Sequence, residues 1–286
     1  LRRLNSKRQA KKNILAHYDL GDELYQTFLD SKMQYSSAIF DEESNSLEEA
    51  QVNKLTRICD QLKLREDDHL LEVGSGWGGL AIFAAENYGC QVTTTTISDN
   101  QYRYAKNKID AAGLSDKINL LSDDYRLLQG KFEKVVSVEM IEAVGKKYLS
   151  GYFQKLNDLL KPGGLLMLQA ITIADQRLKS YSSNEDFIQK HIFPGGFLPS
   201  VYLISKILAD STELVMRDFR DIGLDYSKTL SHWHKNLLEK KDALNQLGYD
   251  DQFYNLWTYY LGYCEGGFLE RRISASQMLM SKAPHT

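Results

Sequence analysis

The chain has 286 residues, of which 43% are apolar and 26% are charged. This composition excludes wholesale disorder, and no run approaches the roughly eighteen consecutive apolar residues of a membrane-spanning helix. The three cysteines are far apart, which argues against a disulfide framework or a zinc site.

Charge is distributed unevenly along the chain. Lys and Arg number 35 against 38 Asp and Glu, a net charge of −3, yet residues 1–18 hold six basic side chains and no acidic one. The remaining residues therefore have a net charge of −9. This basic arm (residues 1–18) predicts attraction to an anionic surface, either lipid headgroups or nucleic acid, and a solvated leader helix is the alternative. No apolar secretory segment is visible, so we expect a cytoplasmic protein.

From residue 69 onward, short β-rich runs alternate with helical patterns, which is typical of an α/β sheet. We predict strands over 69–73, 91–97, 118–121, 134–138, 165–173, 213–219 and 274–281. We predict helices over 77–88, 98–112, 146–160, about 226–246 and 251–270.

A single domain with four parts accounts for this pattern. Residues 1–60 form a helical cover that includes the basic arm, and residues 61–173 form the cofactor-binding core. Residues 174–212 contain Phe193-Pro194-Gly195-Gly196 and no clear strand, so we interpret them as an inserted lid. Residues 213–286 complete the sheet and add helices on the substrate side.

A glycine-rich turn, Gly74-Ser75-Gly76-Trp77-Gly78-Gly79, joins the first strand to a helix. Glycines let the chain turn sharply and let a ligand approach the backbone, as in dinucleotide-binding folds. Glu72, two residues before the turn, suits a ligand with a cationic amino-acid group. No acidic residue closes the next strand to hold the ribose of a dinucleotide. S-adenosylmethionine is therefore the preferred ligand, and a dinucleotide is the second.

Two further pairs of residues follow predicted strands. Ser98 and Gln101 have the spacing of a helix capping box. Asp124 and Tyr125 follow the third strand, where the carboxylate is placed to hydrogen-bond an adenine amino group while the ring stacks nearby. A solvated turn is the alternative for this second pair.

Several segments together resemble the cyclopropane-fatty-acyl-phospholipid synthases, which are relatives of the mycolic acid cyclopropane synthases. The matching segments include residues 33–38, 72–79, 96–101, 136–142 and 193–196. The resemblance implies a class I methyltransferase fold, a Rossmann-like α/β architecture whose seven-stranded, mostly parallel sheet has a helical cover. It also implies that S-adenosylmethionine is bound by Tyr35, Ser36, Gly74, Gly76, Thr96, Ile97, Ser98 and Gln101.

The family transfers a methyl group from S-adenosylmethionine to a cis double bond in a phospholipid acyl chain. Because an alkene is a poor nucleophile, the donor must be held in line and away from water. Methyl transfer leaves a carbocation, and loss of a methyl proton closes a cyclopropane. Two alternatives stay open: resolution of the same cation to a methylene or methyl-branched chain, and methylation of a soluble small molecule.

The partners follow from this resemblance. We expect unsaturated phospholipid acyl chains at the inner membrane surface and no nucleic acid, with a homodimer left as an open alternative. A non-catalytic lipid- or nucleic-acid-binding protein is a third class of function. The intact cofactor loop, together with Tyr35, Gln101 and Glu142, argues against that class.

In the family, the proton acceptor is usually described as a bound bicarbonate. Glu142 and Tyr226 match two of its ligands. Ser37 and Gln169 stand where the family has a Cys and a His, so part of the anion site has changed. Both residues are still able to donate hydrogen bonds, although no imidazolium remains to add charge.

Glu139 occupies a position that is usually Gly in the family. We hypothesise that its carboxylate fills the bicarbonate site and acts as a built-in base or cation stabiliser. The alternative is that Glu139 points outward or pairs with a basic side chain, in which case bicarbonate is still needed. Cys264 matches a cysteine described as an active-site residue in the family, although a lone Cys on an aromatic helix is more often a packed core residue.

Overall fold

The computed structural model describes residues 20–43 and 45–284, so the basic arm lies outside the described residues. They form a seven-stranded sheet in the order β3-β2-β1-β4-β5-β7-β6. The strands are β1 His69–Val73, β2 Gln91–Thr95, β3 Ile118–Leu121, β4 Phe132–Val138, β5 Leu160–Ile173, β6 Leu214–Asp221 and β7 Ile273–Lys282. Strands β1 to β5 pair in parallel, and β7 runs antiparallel between β5 and β6. The predicted α/β fold is confirmed.

Helices flank this sheet and cover one of its edges. They are α1 Asp22–Gln26, α2 Leu47–Gln61, α3 Gly79–Tyr88, α4 Asp99–Ala111, α5 Leu149–Leu159, α6 Leu178–Tyr181, α7 Phe187–His191, α8 Val201–Ser211, α9 Gly223–Glu239, α10 Lys241–Gln246 and α11 Asp251–Leu269. The single helix predicted over about 226–246 is in fact α9 and α10, which are separated at Lys240. None of the described helices is both long and apolar enough to cross a membrane.

Strand β5 begins earlier than the sequence predicts. Its first residues include Pro162-Gly163-Gly164, which lie between the helix predicted over 146–160 and the strand predicted over 165–173. Leu160 pairs with Phe132 and Leu165 with Lys134, so the extra residues form a bulge rather than a loop.

The predicted lid contains the helices α6 to α8 and no strand. Hydrogen bonds tie its second half to the sheet: the Phe197 N–H donates to the Glu142 carbonyl oxygen at 2.9 Å, and the Ile173 N–H donates to the Pro199 carbonyl oxygen at 3.0 Å. The hydroxyl oxygen of Tyr181 accepts a bond from the Leu198 N–H at 3.2 Å. The lid segment is therefore fixed against the end of β5.

An aromatic core joins the N-terminal residues to the C-terminal helices. Tyr25 and Phe28 are fully buried against Trp233 of α9 and Trp257 of α11. Trp77 of the glycine-rich turn belongs to the same cluster. This packing places the N-terminal cover directly beside the turn that follows β1.

Candidate active site

The glycine-rich turn has a backbone that side chains disfavour. Gly74, Gly76 and Gly78 have φ values of 101°, 50° and 91°, in the left-handed region that glycine adopts freely. A Cβ atom at Gly76 would meet nothing within 4 Å, so the turn leaves an open cradle there. At Gly79 a Cβ atom would lie 2.3 Å from the Lys32 carbonyl oxygen, so residues 32–34 pack directly on the start of α3.

Most of the predicted cofactor residues line one cavity beside this turn. Those that line it are Tyr35, Ser36, Gly74, Gly76, Thr96, Ile97, Gln101, Asp124 and Tyr125. Ser98 lies just outside this set, where its Oγ caps α4 by accepting a bond from the Gln101 N–H at 3.3 Å. The Gln101 side chain instead accepts a bond from the Thr96 hydroxyl at 2.9 Å, so the second half of the predicted capping box is not formed.

The Asp124 carboxylate already has protein partners. It accepts bonds from the Arg126 backbone N–H at 3.0 Å and from the Arg126 Nε at 2.7 Å, and it caps a short 3₁₀ turn. These donors use part of the hydrogen-bonding capacity of the carboxylate. Its role in binding adenine stays a prediction.

Glu139 follows β4 and has a left-handed backbone, with a φ of 47°. Such a conformation costs a residue with a side chain roughly 1 kcal/mol and persists only where its surroundings impose it. Here the Glu139 N–H donates to the Gln169 carbonyl oxygen on β5 at 2.7 Å. The resulting turn aims the carboxylate into the protein, which excludes the outward orientation that the sequence left open.

Three donors hold the Glu139 carboxylate. Its Oε1 accepts bonds from the Ser37 N–H and the Gln169 Nε2, both at 2.9 Å, and its Oε2 accepts a bond from the Tyr226 hydroxyl at 2.7 Å. Gln277 Nε2 donates to Gln169 Oε1 at 2.9 Å, which orients the amide so that its donor faces the carboxylate. The structure therefore brings together Glu139, Ser37, Gln169 and Tyr226.

Ser37 contributes differently from the expectation. Its main-chain N–H contacts Glu139, whereas its hydroxyl donates to the Ala38 carbonyl oxygen at 3.0 Å. The side chain at this position is thus turned away from the carboxylate.

Burial raises the pKa values of three neighbouring side chains, Glu139, Tyr226 and Glu142. Burial raises the pKa of Glu139, while bonds from Gln169, Ser37 and Tyr226 oppose that rise. Burial, and next the neighbouring Glu139 charge, raise the pKa of the Tyr226 hydroxyl well above its usual value, so Tyr226 stays a proton donor. Burial and the Glu139 charge raise the pKa of Glu142 to about 8. At neutral pH the carboxyl group of Glu142 is therefore mostly protonated.

Glu142 lies on a short 3₁₀ turn after Glu139. Its Oε1 accepts a bond from the Ile171 N–H at 2.5 Å. Its Oε2 is buried and has no hydrogen-bond partner among the described residues. Glu142 also lines a second cavity.

The second cavity has a volume of about 790 Å³ and adjoins the first. Both cavities are lined by Tyr35, Glu139 and Ala143, which therefore mark their junction. Most of the remaining wall comes from the lid, α9 and α11; its apolar residues include Ile171, Ile173, Phe193, Phe197, Leu198, Leu230 and Phe268. Exposed charged residues, Arg177, Glu270 and Arg272, lie at its outer end.

Cys264 lies in the wall of this second cavity. Burial raises the pKa of its thiol to about 12, so the thiol is neutral at physiological pH and is a poor nucleophile. This environment supports the packing role. Nearby, the Tyr35 and Tyr260 hydroxyl groups lie 2.9 Å apart at the junction of the cavities.

Sequence reasoning missed Lys54, a fully buried residue of α2. Its Nζ donates to Gln34 Oε1 at 2.7 Å and to Ser36 Oγ at 2.9 Å. A signal for this was available, because Lys54 falls on the apolar face that Ala50 and Ile58 define at helical spacing.

A family model described as mycolic acid cyclopropane synthetase matches residues 5–278 of the chain. The chain is 38% identical over 271 residues to the tuberculostearic acid methyltransferase UfaA1 of Mycobacterium tuberculosis, covering 92% of this chain and 63% of that protein. It is also 38% identical over 279 residues to the cyclopropane-fatty-acyl-phospholipid synthase of Escherichia coli K12, covering 98% of this chain and 70% of that protein. The chain therefore spans less than three quarters of the length of either relative.

The fold is similar to that of a solved structure. The mycolic acid cyclopropane synthase CmaA1, complexed with SAH and CTAB, superposes with a TM-score of 0.88 at 26% identity. The match covers 95% of this chain and 98% of that chain.

Proposed function

Because the chain belongs to the mycolic acid cyclopropane synthetase family of S-adenosylmethionine-dependent methyltransferases, we propose that it methylates the cis double bond of an unsaturated phospholipid acyl chain. One observation carries this proposal: the cofactor cavity and the larger apolar cavity meet at Tyr35, Glu139 and Ala143. A buried carboxylate thus lies at the place where a methyl donor and a hydrocarbon chain would come together.

The residues around the glycine-rich turn fit S-adenosylmethionine. Gly76 offers open space beside its backbone, and Gly74, Tyr35, Thr96 and Gln101 line the same cavity. When bound, the cofactor supplies an electrophilic methyl group. The similar structure of CmaA1, which is complexed with SAH and CTAB, supports the assignment of a cofactor.

The chain's own residues then accept the proton that the substrate loses. The π electrons of the alkene form the new bond to the methyl carbon as the bond from that carbon to the sulfonium sulfur breaks and the sulfur keeps its electron pair, which leaves the neighbouring alkene carbon positive. Glu139 accepts a proton from the new methyl group, and the electron pair of that C–H bond closes the three-membered ring. The lipid gains one CH₂ in total. Because Ser37, Gln169 and Tyr226 already hold the carboxylate, no reorganisation is needed when the cation forms.

A methylene-branched product is the second candidate. It needs a hydride shift to the positive carbon before Glu139 takes a methyl proton, and the lipid again gains one CH₂. The equal identity of the chain to a tuberculostearic acid methyltransferase and to a cyclopropane-fatty-acyl-phospholipid synthase supports keeping both products in the test.

The decisive experiment incubates the protein with methyl-labelled S-adenosylmethionine and vesicles of a cis-monounsaturated phospholipid. We expect a labelled lipid that is heavier by one CH₂. Proton NMR then separates the cyclopropane ring protons of one product from the vinylidene (C=CH₂) protons of the methylene-branched product. Vesicles of the saturated lipid are the control. Label that appears only in added soluble small molecules, and not in the unsaturated lipid, would contradict the proposal.

Removing the titrating group of Glu142 is expected to stabilise the protein at alkaline pH. The pKa of Glu142 is about 8 in the folded protein and 4.5 in a model peptide, so its contribution to stability is present below pH 4.5 and is lost as the pH rises to about 8. Glu142→Gln should therefore raise the free energy of unfolding by about 1–3 kcal/mol above pH 8. Below pH 4.5 the difference should vanish.

Urea unfolding of both proteins across this pH range measures the difference. Glu72, another buried carboxyl group whose pKa is raised to about 8, is present in both proteins and cancels in the comparison. A stability difference that does not change with pH would show that Glu142 does not titrate in this range.

We further propose that the basic arm draws the protein to anionic membranes from the cytoplasmic side. Replacing the six basic residues of residues 1–18 with Gln should weaken binding to phosphatidylglycerol vesicles at least about tenfold, since each basic residue near a surface contributes roughly 1 kcal/mol. Co-sedimentation at low and high salt measures this, and phosphatidylcholine vesicles are the control. Equal binding by both proteins would show that the arm does not contribute to membrane binding.

A further inference from the structure

A buried lysine lies directly behind the segment that carries the cofactor contacts. Lys54 has no exposed surface, and lysine is almost never fully buried unless it is paired. Its Nζ donates to the side chains of Gln34 and Ser36, at 2.7 and 2.9 Å. We call residues 33–38 the strap.

Two residues of helix α2, Gln51 and Lys54, hydrogen-bond to the strap. Gln51, one turn before Lys54, donates to the main-chain oxygens of Gln34 at 3.4 Å and Ser36 at 3.0 Å. The Nε2 atom of the same Gln34 amide packs on Gly79 at the start of α3. The strap is therefore held between two helices.

The strap in turn positions both halves of the reaction site. Tyr35 and Ser36 line the cofactor cavity, and the N–H of Ser37 donates to the Glu139 carboxylate. A displacement of the strap would therefore disturb the cofactor and the base together.

Lys54 also lies in the electrostatic field of three buried carboxyl groups. These belong to Asp30, Glu139 and Glu72, and each favours the charged form of the lysine. Asp30 accepts bonds from the Gln34 and Lys32 N–H groups, at 2.8 and 3.0 Å, and Glu72 accepts a bond from the Thr94 hydroxyl at 2.6 Å. Burial lowers the pKa of Lys54 to about 8, which still leaves most of it charged at neutral pH.

We propose that Lys54 is a positioning residue for the proposed methyl transfer: its ammonium group fixes the strap, and its positive charge keeps Glu139 ionised. The second part rests on the proposed role of Glu139 as the base. The other titratable groups that face Glu139 are Tyr226 and Glu142. The Glu139 charge raises the pKa of Glu142, whereas Lys54 lowers the pKa of Glu139, so the lysine favours the ionised form of Glu139 over that of Glu142.

The test compares Lys54→Met with Gln51→Met. Both changes loosen the same strap from the same helix face, but only the first removes a charge. In Lys54→Met the pKa of Glu139 should rise, so the acid limb of the kcat/KM profile should move to higher pH by about one unit. In Gln51→Met the limb should stay in place. Both variants should bind S-adenosylmethionine several-fold more weakly in calorimetry.

The outcomes separate the two proposals. If Glu139→Gln is inactive but Lys54→Met keeps the wild-type acid limb, the charge role of Lys54 is wrong and the proposed function stands. If Glu139→Gln is as active as the wild type, the base assignment is wrong, and cofactor affinity alone then decides the strap role. Unchanged affinity in Lys54→Met overturns that role.

Circular dichroism checks that Lys54→Met folds. If it does not, Lys54→Gln replaces it, because the amide keeps a donor for Ser36 without the charge. The wild-type protein gives an independent measurement, the infrared difference spectrum between it and Glu139→Gln across pH. A protonated Glu139 at neutral pH in the wild type would overturn the proposal.

Discussion

Glu139→Gln is expected to abolish methyl transfer while leaving S-adenosylmethionine binding intact. The amide keeps the size of the side chain but accepts no proton, and loss of a general base typically lowers turnover by 10²–10⁴-fold. Lipid turnover and calorimetric cofactor binding are measured on the same preparation. The variant should also fold at least as well as the wild type, since it removes a buried charge.

Glu139→Gly supplies the matched experiment. Glycine adopts a φ of 47° without strain, and removing the side chain leaves the Ser37 N–H, the Gln169 amide and the Tyr226 hydroxyl facing an open space. Added bicarbonate should restore turnover to this variant and not to Glu139→Gln, in which the space stays filled. The wild type should need none.

Two results would contradict the built-in base. One is a requirement for bicarbonate in the wild type, measured in carefully degassed buffer. The other is normal turnover by Glu139→Gln. In either case Glu139 would be a structural ligand of Tyr226 and Gln169 rather than the proton acceptor.

Gly266→Leu is expected to lower kcat/KM for long acyl chains more than tenfold. Gly266 lies on α11 in the wall of the 790 Å³ cavity, and a Cβ atom there would meet nothing within 4 Å. A leucine side chain would therefore project into the space that we assign to the acyl chain. Shorter acyl chains should be affected less, and cofactor affinity should not change.

Gly151→Leu is the control for this change. Gly151 is an exposed helical glycine of α5 whose Cβ atom would also meet nothing within 4 Å. Both substitutions replace a helical glycine and should raise helix stability by about 0.5–1 kcal/mol, but only Gly266→Leu should impair the enzyme. Full activity of Gly266→Leu on long acyl chains would show that this cavity does not bind the substrate.

The sheet was predictable because its strands are encoded locally. The run from His69 to Val73 is short, apolar and bounded by turns, and the predicted bounds of the strands agree with the structure to within two residues except at the start of β5. The lid was harder, since α6 and α7 have four and five residues and show too few turns for a periodic pattern. The bulge at Pro162-Gly163-Gly164 depends on pairing with β4, which no local pattern records.

The residues of the site were easier to predict from the sequence than the contacts between them. Sequence reasoning named Glu139, Gln169 and Tyr226, but the contacts among these three join residues 30 and 87 positions apart and depend on tertiary packing. The role of the Ser37 main chain could not be predicted from its side chain. Lys54 was overlooked because a lysine is normally assigned to a solvated surface, and only packing reveals that it is buried.

The left-handed backbone at Glu139 has an evolutionary consequence. Most side chains would carry the strain of that conformation without supplying a carboxylate, whereas Glu supplies one and Gly adopts the conformation without strain. Glutamate and glycine codons differ at a single nucleotide, so one mutation separates the two occupants. On the proposed mechanism, a lineage with Glu there is independent of the carbon dioxide tension of its habitat, while one with Gly must draw its proton acceptor from dissolved carbonate.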